Sequence, residues 1–155
     1  MKLLLGGTLL ILVLSISLYL TLPMSQSAPA KIEPEATALY RAGTTLLAVS
    51  LAITPAQQRQ GLAGKKRLDD AEGMLFPFSP PSMQKFWNKG MLMGFDLVWI
   101  QHDKVIGIEK SIPEEAAGVR ILQSPAPVDA VLEVSAGWVE RHGLKQGDAL
   151  HRVEK

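Results

Sequence analysis

The run FDLVWI, from Phe95 to Ile100, carries a single carboxylate in an otherwise apolar segment. In an extended chain Asp96, Val98 and Ile100 share one face, and Phe95, Leu97 and Trp99 the other. Both faces are apolar, so this strand is expected to be covered on both sides. An unpartnered carboxylate in such a place costs several kcal/mol. Asp96 must therefore accept hydrogen bonds. Lys89, seven positions earlier, can reach back through the loop 89–94, and the backbone N–H groups of that loop are a second source. Two readings follow. In one, Asp96 staples the loop. In the other, Asp96, Lys89 and Trp87 line a polar pocket that binds a small polar ligand, with Asp96 able to act as acid or base.

Gly, Pro and Asp break the remainder into short segments, the rhythm of a mainly β domain. Residues 45–53 place Leu47, Val49, Leu51 and Ile53 on one face of a half-buried strand. Thr54-Pro55-Ala56-Gln57 is a helix start, with Thr54 and Gln57 as a capping box and Pro55 in the first turn. Gly61 ends that helix. Further strands are expected at 74–78, 84–88, 95–100, 105–111, 131–134 and 149–153, with a shorter one at 119–122. Ser135 is the expected cap of a second helix over 136–142, which Gly143 stops. About seven short strands and two short helices favour a compact barrel or sandwich over a βαβ fold. The organisation is then residues 1–30 as a targeting segment, 31–44 as a linker and 45–155 as one mainly β domain.

Lys2 precedes an apolar run over residues 3–22, which Pro23 closes. Ala28-Pro29-Ala30 suits signal peptidase, with Ser25-Gln26-Ser27 as a second candidate. The run is also about as long as a bilayer span, roughly 20 residues. A cleaved signal peptide and an uncleaved membrane anchor are both open, and both export the domain across the inner membrane, to the periplasm or cell surface. The 16 basic and 15 acidic residues leave no electrostatic footprint for nucleic acid. The absence of cysteine excludes disulfides, thiolate catalysis and thiolate metal sites.

Several landmarks occur in a specific order: Gln60-Gly61-Leu62, Glu72-Gly73-Met74-Leu75-Phe76, Phe86-Trp87 with Lys89 and Asp96, Val131-Leu132-Glu133, Ala136-Gly137, and Gly143-Leu144-Lys145-Gln146-Gly147-Asp148. Through them the chain resembles the domain-of-unknown-function family 192, small and often exported proteins of bacteria and archaea, from about residue 46 to the C-terminus. The resemblance implies a compact, mainly β fold and no assigned activity. Family members commonly read FWMKNT and then a proline. Here Gly90 stands for the Asn, Gly94 for the proline, and Gly61-Leu62-Ala63 replaces Gly-Leu-Met.

His102, His142 and His151 show no metal-ligand spacing, and His142 suits the dipole at a helix C-terminus. No zinc site or cofactor is expected. Nucleophile and nucleotide motifs are missing. Glu109, Glu133 and Asp96 are candidates for a glycosidase carboxylate pair, whose separation sequence does not give. Met91 and Met93, with Met83 nearby, offer soft thioethers for Cu(I), although methionines also fill irregular cores. Trp87 and Trp99 are expected in the core, and Trp138 partly exposed. The leading expectation is a non-catalytic ligand-binding or accessory module of the cell envelope. Its partners would be a small polar ligand or envelope component, and the membrane if residues 3–22 stay uncleaved. The alternatives are a hydrolase of envelope material using Asp96, and Cu(I) handling through Met91 and Met93.

Overall fold

The computed structural model describes residues 36–153. These run through β1 (Ala36–Ala42), β2 (Thr45–Leu51), α1 (Pro55–Gln60), β3 (Glu72–Ser82), β4 (Lys85–Trp87), β5 (Phe95–Gln101), β6 (Lys104–Ile112), a 3-10 turn (Glu115–Ala117), β7 (Ile121–Gln123), β8 (Val128–Ser135), α2 (Trp138–Arg141) and β9 (Leu150–Arg152). The signal or anchor expected at residues 1–30 lies outside the described residues. The expected linker 31–44 is corrected where it is described: from Ala36 onward it is β1 and its turn. Among the described residues no helix is long and apolar enough to cross a membrane.

Seven strands hydrogen-bond into one sheet in the order β6-β5-β8-β3-β2-β1-β9, and β4 pairs with β7 in a second, small sheet. The fold is mainly β, as the rhythm of turns predicts. One unit departs from that reading. β2 and β3 pair in parallel, which requires a crossover, and α1 lies within it. Its start follows the sequence: the Gln57 N–H donates to Thr54 Oγ1 at 3.2 Å and the Thr54 N–H to Gln57 Oε1 at 2.9 Å.

The large sheet curls until its outer strands approach at one end. Lys104 bridges Ala149, and the Val105 N–H donates to the Asp148 carbonyl at 2.9 Å. All seven strands send side chains into one cluster, which includes Ala38, Leu47, Leu75, Val98, Val105, Leu132 and Leu150. This is the inner face of the curl, and Trp138 and Val139 of α2 join it. A second cluster covers the other face, built on Phe95, Leu97 and Trp99 of β5 with Met74, Phe76 and Val131. Leu62, from the segment after α1, and the partly buried Phe86 and Leu122 of the small sheet pack onto it. β5 is thus covered on both sides. Phe95, Leu97 and Trp99 are at most 1% exposed, and each contributes roughly 1.5–3 kcal/mol through burial.

Candidate functional site

Strand register decides which buried carboxyls can meet. Asp96 of β5 lies opposite Val134 of β8, and Leu97 lies opposite Glu133. Directly opposed residues share a face and successive residues alternate. Asp96 and Glu133 therefore project from opposite faces of one sheet, Asp96 toward the inner cluster and Glu133 toward the outer one.

Asp96 is fully buried and fully engaged. Its Oδ1 accepts the backbone N–H groups of Ser111 at 2.7 Å and Gly137 at 3.0 Å, and its Oδ2 accepts that of Val139 at 3.0 Å. Gly137 and Val139 open α2. Asp96 thus caps a helix from a distant strand, where a carboxylate also suits the helix dipole. Gly137, in the left-handed region, occupies the cap position expected for Ser135. Ser111 sits at φ 50°, a strained position for a residue with a side chain, and its N–H points at the same oxygen. The expected staple exists, but it holds α2 and Ser111, and Lys89 is not among its donors.

Lys89 and Trp87 instead line a cleft of about 240 Å³ over the outer cluster, with Glu133 among its lining residues and Asp96 absent from them. The structure joins two of the three expected site residues and separates the third. Phe86 forms one wall. It meets Phe76 edge-to-face at 5.0 Å between ring centroids, Trp99 at 5.8 Å and Phe78 at 6.4 Å, contacts that fix its ring. Trp87 is 48% exposed, not in the core as expected. β4 belongs to the outer two-stranded sheet, so Phe86 packs inward while Trp87 stays open beside the cleft. Trp138 reverses its expectation too: it is fully buried, and its Nε1 donates to the Asp70 carbonyl at 2.7 Å.

Glu133 is 4% exposed, and its Oε2 has no hydrogen-bond partner. Burial pushes its carboxyl from an ordinary 4.5 up to about 8, against a backbone hydrogen bond from Leu62 that favours the charged form. At neutral pH it is an uncharged acid. Gly61 makes room beside it. A side chain there would begin 3.5 Å from Glu133 Oε2 and 3.4 Å from the Phe76 ring, and φ is 49°. Arg59 and Lys85 also line the cleft. The ion pairs formed among the described residues are Arg67–Asp69, Arg141–Asp70 and His142–Asp70, so Arg59, Lys85 and Lys89 are all without a carboxylate partner.

The other candidates disperse. Leu97 pairs with Glu109 on one side and Glu133 on the other, which places the backbones of these two residues two strand spacings, roughly 9–10 Å, apart. Glu109 does not line the cleft. Met91 is buried and lines the cleft, while Met93 packs on the outer cluster. No group of three His, Asp or Glu suited to a metal occurs among the described residues. His142 pairs with Asp70 at 2.7 Å, and Arg141 donates to the same carboxylate at 2.9 Å. These hydrogen bonds hold Asp70 below its ordinary value of 3.8.

Sequence reasoning missed Arg59 and Lys85, and it weighed Glu133 only as a glycosidase acid. The signal was available: VDAVLEV, like FDLVWI, places a carboxylate in an apolar run. It also missed Asn88. That side chain is fully buried, donates to the carbonyls of Pro113 at 3.0 Å and Gly118 at 2.9 Å, and accepts the Arg120 N–H at 2.7 Å. It fastens the segment 113–120 to the end of β4. Two departures from the family pattern touch each other, since a Cβ on Gly90 would lie 3.0 Å from that of Ala63.

Among solved structures the chain is similar to a "putative transcription regulator" of Sinorhizobium meliloti 1021, with 30% identity, TM-score 0.73, and 79% of this chain and 98% of that one covered. It is also similar to a protein of unknown function from Novosphingobium aromaticivorans DSM 12444, with 27% identity, TM-score 0.65, and 81% and 94% covered. No curated protein matches. The family model of DUF192, "Uncharacterized ACR", matches residues 38–152. With that match spanning most of its length, the chain belongs to the domain-of-unknown-function family 192.

Proposed function

We propose that this protein is a non-catalytic, small-ligand-binding module of the cell envelope, with the cleft between Trp87 and Glu133 as its site. The observation that carries the reading is the unpartnered, buried oxygen of Glu133, a residue that lines a concave, aromatic-walled space. A buried polar atom without a partner is uncommon and costs stability. A ligand that hydrogen-bonds it would recover that cost. The lining supports binding over turnover. Its chemistry-bearing groups are one uncharged acid, two lysines and an arginine, with no Ser, Thr, His or Asp among them. The balance of 16 basic and 15 acidic residues favours a small molecule over the nucleic acid that the name of the Sinorhizobium protein suggests. Export rests on the apolar run 3–22 behind Lys2. A phosphatase reporter fused at the C-terminus, active only outside the inner membrane, would check it.

Thermal unfolding of the full chain against a panel of single-ring acids, amines and neutral polyols tests the binding reading. At least one compound should stabilise wild type and His151→Ala alike, do little for Trp87→Ala, and be recovered chemically intact. A panel that shifts nothing, or a shift that survives Trp87→Ala, contradicts it. Turnover of a panel member that Glu133→Gln abolishes would establish an enzyme instead.

A further inference from the structure

Taking the cleft as the binding site, we propose that its ligand is a small organic oxyanion, a phosphate- or carboxylate-type head on one flat ring. Three unpaired cations, Arg59, Lys85 and Lys89, line this one cleft. The sole acidic side chain among the lining residues is Glu133, enclosed at its floor. The three lining amides each already donate within the protein: Gln58 Nε2 to the Pro77 carbonyl at 3.3 Å, Gln60 Nε2 to the Ala63 carbonyl at 2.7 Å and Gln84 Nε2 to Ser82 Oγ at 2.8 Å. The cations are the charged groups left to a ligand at the rim, and an oxyanion is what they recognise together. An amine would meet three like charges, and a neutral polyol would leave all three unused.

Size and walls set the body. At about 240 Å³ the cleft falls below the roughly 300–1,000 Å³ of sites for drug-sized molecules, which suits one ring and a head. Phe78, Phe86 and Trp87 line it and offer flat apolar contact. Glu133 supports the anion by being uncharged. Its carboxyl donates a hydrogen bond to the bound molecule, whereas a carboxylate on that floor would repel the head.

Calorimetric titration of the full chain at pH 6.5 and low salt, with five probes, tests this. Phenyl phosphate or benzoate should bind at least tenfold more tightly than phenol and inorganic phosphate, and benzylamine should not bind. Whichever of the two anions binds better identifies the head. The double variant Lys85→Ala/Lys89→Ala should weaken that anion at least tenfold and leave its circular dichroism unchanged, and Trp87→Ala should weaken it too. Phenol or benzylamine binding as tightly, with sensitivity to Trp87→Ala, overturns the oxyanion while keeping the cleft as the site. Inorganic phosphate binding equally well overturns the ring. Absence of binding by all five overturns the proposal, and the wider panel then decides the cleft reading on its own.

Discussion

Asp96 and Glu133 are both buried acids, one residue apart in register on neighbouring strands, and they face opposite sides of one sheet. Asp96 receives three backbone N–H groups from two distant segments. Glu133 keeps an oxygen with no partner at all. The same chemical group therefore serves two ends. Where the surrounding backbone converges on it, a carboxylate ties elements together. Where the backbone leaves one of its oxygens without a partner at the edge of a cleft, burial keeps it protonated.

The comparison breaks most visibly at Asp96. Asp96→Asn keeps the size but turns an NH2 toward backbone donors, and charge-assisted bonds of this kind contribute roughly 1.5–3 kcal/mol each. Non-additivity reduces the sum, so urea unfolding of the full chain should show a loss of about 3–5 kcal/mol. Loss of α2 packing should accompany it, as a change in Trp138 fluorescence. A loss under about 1 kcal/mol would mean that the three bonds contribute little.

Glu133→Gln should act in the opposite direction. The folded protein holds this proton up to about pH 8 while the unfolded chain releases it near 4.5. The folded state binds the extra proton throughout that interval. The contribution of Glu133 to wild-type stability is thus fullest below about pH 4.5 and falls by up to about 1.4 kcal/mol per pH unit until about pH 8. Arg59, Lys85 and Lys89 are the charged groups that share the cleft with it. At pH 8 the variant should be roughly 2–4 kcal/mol more stable than wild type, and the gap should close toward pH 4.5. Parallel stability curves would remove the contrast.

Smaller effects sharpen it. Gly61→Ala places a methyl beside Glu133 at φ 49°, which should cost about 1 kcal/mol and weaken any ligand that stabilises wild type. Lys89→Ala should change stability by less than about 0.5 kcal/mol, as for other exposed positions, because Lys89 does not hold Asp96. A loss as large as that of Asp96→Asn would restore the pairing that the sequence suggests.

Local signals were legible in the sequence. The capping box at Thr54 and Gln57, the Gly143 stop and the alternation in β5 follow from residues within a few positions of one another. Burial of β5 on both faces and the need of Asp96 for donors were legible too. The identity of those donors was not. Ser111, Gly137 and Val139 lie 15 to 43 positions away, and only the order β6-β5-β8 brings them together. The cleft was half visible for a similar reason. Trp87 and Lys89 are two positions apart in sequence, but Arg59 arrives on α1 through the parallel crossover and Glu133 on β8. Trp87 misled because the apolar pair Phe86-Trp87 reads as core until its strand is known to lie in the outer sheet.

The measurement that bears most directly on this account is the titration of the Glu133 side-chain carboxyl in the full chain. Carbon-13 NMR would follow it with the Glu133→Gln variant as the assignment control. The account predicts a midpoint near pH 8, and a change in that midpoint when an anion occupies the cleft. A midpoint near the ordinary 4.5, unmoved by any cleft ligand, would show a solvated, partnered carboxylate and contradict the division of labour between Asp96 and Glu133.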